Sequence, residues 1–99
     1  MNFGLQVVLT AHPGKGAELA EAMLRASQLL ARVEDCLIYI VQVAEADEHK
    51  ILITEVWRSR QAHRDSLSIP AVRELIGKAR PLIQAMEHHP ARTLGGKGL

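Results

Sequence analysis

The chain has 99 residues, 47% of them hydrophobic and 3% aromatic, and its 12 basic and 11 acidic side chains give a formal net charge of +1 at pH 7. This length and composition predict one compact soluble domain over residues 1–99 and exclude a disordered chain. The charges alternate in sign and only three residues are aromatic, so the chain lacks the basic, aromatic surface on which nucleic acids stack, and no nucleic-acid partner is expected.

The cellular setting is predicted from the lone cysteine and from the hydropathy of the chain. Cys36 has no intrachain disulfide partner, which favours a reducing cytoplasm. The first residues lack the basic and apolar regions of a signal peptide, and no apolar stretch approaches membrane-spanning length. We therefore expect a cytoplasmic protein without a membrane partner. A domain of this size buries only roughly 60–65% of its unfolded surface, which favours a homodimer.

The first third of the chain predicts a strand followed by a helix. Residues 3–10, FGLQVVLT, are mostly β-formers without helical period, and the turn-forming cluster HPGKG ends them. From Ala17 onward, apolar residues recur every three or four positions, which predicts an amphipathic helix of four or five turns. These residues are Leu19, Met23, Ala26, Leu29, Leu30 and Val33.

The middle of the chain predicts a β-hairpin. Residues 37–44, LIYIVQVA, and 51–57, ILITEVW, are apolar, β-branched runs separated by the polar cluster EADEHK. Both runs are apolar at both alternating sets of positions, as in strands covered on both faces. One layer of helices covers only one face, so the second face needs another partner.

The last part predicts two helices and a final strand. Ser59 suits the N-cap of a short helix through Leu67, and Pro70 suits the first turn of a second helix that Pro81 ends. Residues 82–88 follow as a strand. The order strand, helix, strand, strand, paired helices, strand predicts an α+β fold of ferredoxin-like split βαβ type, with an antiparallel sheet and its helices on one face.

Two common kinds of site are disfavoured by spacing. HPGKG lacks the upstream glycine and the hydroxyl residue after Lys15 that a phosphate-binding loop requires. The adjacent His88 and His89 point to opposite faces of a strand, and no histidine pair has the spacing of a structural metal site. We expect no metal, and we interpret Cys36 as a small buried thiol.

Glu55 and Trp57 are the strongest candidates for a functional site. Residues two apart share one face of a strand, so both side chains look into the same space. A buried carboxylate needs a partner or a cavity, and a structural ion pair would satisfy it as well as a catalytic role. His63 and Ser66 share one face of the short helix that follows. Whether these two faces meet is left open by the sequence.

The chain also resembles a known family. The likeness is carried by the order of elements, the helix opening PGKGAEL, the strand start CLIY, the segment EVWRSRQAHRDSLSIPAVREL and the ending GGKGL. Together these resemble the antibiotic biosynthesis monooxygenases, a family of small dimeric domains. The resemblance implies a ferredoxin-like fold whose sheets pair face to face in a homodimer, as a dimeric α+β barrel.

The resemblance also assigns roles to residues. It places Glu55 and Trp57 at the acidic and aromatic strand positions that face the pocket between sheet and helices. Haem-degrading members use an asparagine and a histidine where this chain has Gln6 or Val7 and Ile76, which disfavours haem degradation. Many quinol-type members carry a histidine at the position of Ser66. Here His63 lies one turn earlier, and either it substitutes for that histidine or the role is lost.

The function expected from this resemblance is a monooxygenase, free of cofactor and metal, that oxidises a small aromatic or quinol-like substrate with O2. His63 would act as the base, Trp57 as an aromatic wall and hydrogen-bond donor, and Glu55 as the group that orients them. The substrate would be bound by Gln6, Tyr39 and Ser66. The alternatives are a non-catalytic small-molecule-binding or stress-response dimer of the same fold and an isomerase-like enzyme acting on a signalling molecule.

Overall fold

The computed structural model describes residues 1–99 as a four-stranded antiparallel sheet with three helices. The strands lie in the order β2-β3-β1-β4, which confirms the predicted ferredoxin-like fold. A 3-10 turn at Arg80–Leu82 joins the last helix to the last strand. The elements are β1 (Asn2–Ala11), α1 (Gly16–Leu30), β2 (Cys36–Ala44), β3 (Asp47–Trp57), α2 (Arg60–Ser66), α3 (Pro70–Ala79) and β4 (Ile83–Thr93).

Two strands are longer than predicted. The polar cluster at residues 45–50 was expected to be a turn, but only residues 45 and 46 turn and β3 begins at Asp47. Backbone hydrogen bonds between β2 and β3 extend the hairpin beyond the apolar residues of β3. β4 was expected to end at His88 and continues through Pro90 to Thr93. β4 is an edge strand, where the missing N–H of proline is tolerated.

Both predicted helix starts are confirmed. Ser59 is extended (φ −157°, ψ 160°), and its hydroxyl accepts a hydrogen bond of 3.0 Å from the N–H of Ala62. This bond satisfies one of the amide groups left free in the first turn of α2. Pro70 occupies the first turn of α3. None of the helices combines the length and the apolar character needed to cross a membrane.

The main core lies between the sheet and the helices. Inward-facing residues of β1 and β3 pack there against α1 and the end of α3. A smaller cluster of Leu30, Trp57 and Val72 lies next to it. Trp57, Leu19 and Ile51 are the largest fully buried side chains, and each such burial contributes about 1.5–3 kcal/mol. The nine residues of the main core are Leu5, Val7, Leu9, Ala11, Leu19, Met23, Ile51, Ile53 and Ala79.

The other face of the sheet, called the outer face below, has no helix over it. The two-residue alternation places Val8, Ile40 and Leu52 on this face. Ile40 is 48% exposed. Across the same face, the Thr54 hydroxyl donates a 2.9 Å hydrogen bond to Oε1 of Gln6. The prediction that the strands are apolar on both faces is therefore correct.

Candidate active site

A cavity of about 690 Å³ lies between the inner face of the sheet and the three helices. Its lining is mostly hydrophobic, with contributions from every strand and every helix. A largely apolar pocket with a few convergent polar groups is the usual form of a small-molecule site. The polar and charged side chains that line it are Tyr39, Glu55, His63, Ser66, Arg73, Arg80 and His88.

Glu55 and Trp57 form a hydrogen-bonded pair at the end of β3. Nε1 of Trp57 donates to Oε1 of Glu55 at 2.9 Å, and the two residues are 0% and 6% exposed. Since they share one face of the strand, the bond forms within three consecutive residues. No arginine or lysine lies within ion-pairing distance of Glu55. A structural ion pair of this carboxyl group with arginine or lysine is therefore absent, and the one basic side chain near it is His63.

His63 reaches the same place from α2. Its Nε2 lies 3.8 Å from Oε1 of Glu55, and its ring lies 5.5 Å from that of Trp57 at an interplanar angle of 71°. The ring of Phe3, the cross-strand partner of Trp57, lies 5.7 Å from that of His63, and the guanidinium of Arg60 covers the Phe3 ring at 4.7 Å. The strand face and the helix face that the sequence could not connect therefore meet. The imidazole contacts two aromatic rings and lies beside a buried carboxyl group.

The surroundings of this pair favour uncharged forms. Burial raises the pKa of Glu55, and the hydrogen bond from Trp57 offsets part of that effect. Burial, followed by the charges of His88, Arg60 and Arg64, lowers the pKa of His63 below 6.5. At 3.8 Å the two groups are too far apart for a direct hydrogen bond. At neutral pH His63 is therefore an uncharged imidazole with a nitrogen free to accept a proton.

Tyr39 faces Glu55 from the neighbouring strand, β2, and lines the cavity. Burial and the charge of Glu55 raise the pKa of Tyr39 above its ordinary value, so the phenol stays protonated and can donate a hydrogen bond.

Burial, with a smaller effect of Glu55, also raises the pKa of Cys36 to about 11. The Cys36 thiol points at the carbonyl of Ile38, with its sulfur 3.8 Å from that oxygen. Cys36 is thus a neutral, structural thiol.

Ser66 lines the cavity and is 3% exposed. Its hydroxyl donates a 2.6 Å hydrogen bond to the backbone carbonyl of His63, one turn earlier. The donor is therefore used within α2, and only the oxygen lone pairs remain for a ligand. This bond fixes the turn of helix that carries His63.

Gln6 does not line the cavity, which corrects the expectation that it binds substrate. Leu5 and Val7 on either side of it face the core, so the alternation of β1 turns Gln6 to the outer face. There its Oε1 accepts the hydrogen bond from Thr54. In strand one the apolar residues Phe3, Leu5, Val7 and Leu9 alternate with a set that contains Gln6 and Thr10, so the two-residue repeat already places Gln6 on the opposite face; its assignment to the pocket came from the resemblance alone.

His88, Arg73 and Arg80 line the cavity and were missed by the sequence reasoning. His88 pairs with Val7 across the sheet, so it shares the inner face, while His89 faces outward and lies 3.2 Å from Glu87. The alternation of β4 against the core residues of β1 would have identified His88. No three His, Cys, Asp or Glu side chains come together in a group that suits a metal ion.

The chain is similar to known proteins over most of its length. The family model described as antibiotic biosynthesis monooxygenase matches residues 2–78. A candidate antibiotic biosynthesis monooxygenase from Chloroflexus aurantiacus J-10-fl is 36% identical, with 97% of this chain and 96% of that one covered and a TM-score of 0.89. Among curated proteins, no sequence matches the chain.

Two more distant structures share the fold. SnoaB from Streptomyces nogalater, described as a cofactor-independent oxygenase, is 19% identical, with 97% and 96% of the chains covered and a TM-score of 0.82. A candidate monooxygenase of the same description from Deinococcus radiodurans is 22% identical, with 97% and 95% covered and a TM-score of 0.82. At these identities the likeness supports the fold alone.

Proposed function

The chain belongs to the antibiotic biosynthesis monooxygenase family, and from this premise we propose that it is a cofactor-independent monooxygenase that oxidises a phenolic or quinol-like aromatic with O2. The observation that carries the proposal is the position of His63, an uncharged imidazole inside an apolar cavity and 3.8 Å from a buried carboxyl group. SnoaB, which shares this fold, is described as a cofactor-independent oxygenase, so the fold is compatible with this reaction class.

In this proposal His63 is the general base. It accepts the proton of a substrate hydroxyl, and the imidazolium that forms is stabilised by Glu55 beside it. Trp57 holds Oε1 of Glu55 in place through its indole N–H, so the carboxyl group needs little reorganisation when the charge develops. Contacts with the rings of Phe3 and Trp57 restrict the position of the imidazole.

The substrate itself supplies the electrons. A phenolate with an unsubstituted ortho or para carbon transfers one electron to O2, and the resulting radical and superoxide combine at that carbon to form a C–O bond and a hydroperoxide. Loss of the proton from that carbon and cleavage of the O–O bond then give a quinone carbonyl and water. One oxygen atom enters the product and the other leaves as water. The apolar lining favours this sequence because it excludes bulk water from the peroxide.

Tyr39 and Ser66 complete the proposed site. The protonated phenol of Tyr39 can donate to a carbonyl or peroxide oxygen of the ligand, because its raised pKa keeps the proton in place. Ser66 contributes indirectly by bonding the carbonyl of His63. Its hydroxyl oxygen also accepts from a ligand that reaches α2.

We also propose that the protein acts as a homodimer, paired through the outer face of the sheet. Val8, Ile40 and Leu52 are apolar and have no helix over them. A sheet face of this composition is ordinarily covered. A second copy of the chain offers an equivalent apolar surface, as a two-fold interface requires.

The test is oxygen consumption by the purified protein with a panel of hydroquinones, naphthols and anthrones. We expect turnover by the wild type that is abolished by His63→Ala and by Trp57→Phe, with dimers retained. Arg25→Ala is the matched control, since this exposed residue pairs with Glu21 away from the cavity. Tight binding of an aromatic ligand with unchanged oxygen levels would instead favour a non-catalytic binding protein. No turnover across a broad panel would count against the oxygenase.

A further inference from the structure

We propose that the substrate carries a carboxylate, remote from the hydroxyl that His63 deprotonates, and that Arg73 and Arg80 at the open side of the cavity bind it. This inference deepens the proposed function, because it rests on the same cavity and names the class of substrate: a hydroxylated aromatic acid.

The first argument is the unequal distribution of charge around the cavity. Arg73 and Arg80 both line it, whereas Glu55 is the only acid in the lining. Neither arginine side chain takes part in an ion pair or a hydrogen bond within the chain. Lys78, on the same helix but outside the lining of the cavity, pairs instead with Glu74 at 3.4 Å. Each of these unpaired guanidinium groups presents the planar fork of N–H donors that a carboxylate fits.

The second argument is where these arginines lie. Arg73 lies in α3 and Arg80 is the residue that caps its C-terminal end, seven positions later, which is about two turns or roughly 10 Å along the helix axis. Gly77 lies between them on the same face. Gly77 presents no side chain, and a Cβ placed on it would meet nothing within 4 Å. Across from α3 is the edge strand β4, where Met86 lines the cavity and is 50% exposed. This side of the cavity is therefore open to solvent, with cations on one rim.

The third argument is orientation. Glu55 is on β3 and the opening is at β4, with β1 between them, so roughly 10 Å separates the two ends. A ligand with its hydroxyl at His63 and its carboxylate at the opening keeps the anion in contact with water and arginine. The reversed ligand would place an anion beside buried Glu55, which is strongly unfavourable. The charges of the site thus select one orientation as well as one class of ligand.

The experiment compares 6-hydroxy-2-naphthoate with its neutral methyl ester by isothermal titration calorimetry without oxygen, so that binding is measured without turnover. We expect the wild type to bind the acid about 10-fold more tightly than the ester, since two partly exposed ion pairs contribute modestly. Arg73→Gln with Arg80→Gln is expected to remove this preference and leave ester binding unchanged. Lys78→Gln on the same helix is the matched control and retains the preference.

Equal binding of acid and ester by the wild type, a preference unaffected by the double substitution, or no binding of either compound would each overturn the inference. Oxygen consumption with the same compounds is measured separately. A preference for the acid without oxygen consumption would leave this inference standing and refute the oxygenase. Oxygen consumption without any preference for the acid would support the oxygenase and overturn the inference that the substrate carries a carboxylate.

Discussion

Replacing Trp57 by Phe tests the central pair of the site, because it removes the indole N–H while keeping an aromatic ring. Trp57 is 0% exposed and its N–H donates to Glu55 at 2.9 Å. The smaller ring buries about two fewer carbon atoms, which costs about 1.5 kcal/mol of unfolding free energy. A lost hydrogen bond to a buried charged acceptor costs about 1.5–3 kcal/mol more, and to a neutral one about 1 kcal/mol.

Because the hydrogen-bond cost differs between a charged and a neutral Glu55, the loss of unfolding free energy in Trp57→Phe depends on pH. Burial raises the folded-state pKa of Glu55 above its ordinary 4.5, so the folded protein binds this proton more tightly than the unfolded chain does. The contribution of Glu55 to the free energy of unfolding therefore falls as pH rises through the folded pKa. The bond from Trp57 lowers that pKa, so Trp57→Phe raises it and extends the decline to higher pH. We expect a loss of about 2–3 kcal/mol at pH 4.5 and about 3–4.5 kcal/mol at pH 9.

The assay is urea denaturation of wild type and variant at both pH values, at one fixed protein concentration because dimer formation adds to apparent stability. The same substitution made in a Glu55→Gln background is the control, and its cost is expected to be independent of pH. Equal losses at pH 4.5 and pH 9 in the Glu55 background would refute the view that the indole stabilises a buried carboxylate.

Three further predictions concern the base, the outer face and a close backbone approach. His63→Asn is expected to lower kcat about 10²- to 10⁴-fold. As the pH is lowered, wild-type kcat/KM is expected to stay constant past pH 6.5 and to fall only at lower pH, where His63 becomes protonated, because its pKa is lowered; a fall centred above pH 6.5 in the oxygen-electrode profile would contradict this. Leu52→Asp on the outer face is expected to give monomers in sedimentation velocity, and Leu24→Asp on α1 to leave the dimer intact; dimers in both variants would exclude this interface. Gly16→Ala is expected to cost about 1–3 kcal/mol in urea denaturation, since its Cβ would lie 2.5 Å from a hairpin carbonyl oxygen. Gly77→Ala, inside α3 and with nothing within 4 Å of the added Cβ, is expected to stabilise the protein by about 0.5–1 kcal/mol; equal stability of the two variants would contradict the close approach.

Local signals in the sequence predicted the elements that depend on local chemistry. The N-cap at Ser59 and the proline start of α3 follow from the needs of the first helical turn, and both are found. The shared face of Glu55 and Trp57 follows from the two-residue repeat of a strand, and the structure adds the hydrogen bond between them. These features need only a few consecutive residues, so one sequence suffices to predict them.

Features that depend on tertiary arrangement could not be predicted from short stretches of the sequence. That His63 meets Glu55 depends on how α2 folds back onto the sheet, which no periodicity specifies. Gln6 was assigned to the pocket from the family resemblance, although the alternation of β1 places it opposite the apolar set of Leu5, Val7 and Leu9. His88 was missed because it lies on the edge strand, where an exposed polar residue is unremarkable until the pairing with Val7 is known.

The bond between Trp57 and Glu55 has a consequence for how this fold diversifies. Its donor and acceptor are two positions apart in one strand, so the pair is oriented as soon as β3 is paired between β1 and β2. The open side of the cavity is built separately, by α3 and the edge strand. Substitutions there change the size and charge of the opening without moving the carboxyl group. We therefore expect descendants of this protein to acquire new ligands through α3 and β4, with the Glu-Val-Trp sequence of β3 retained.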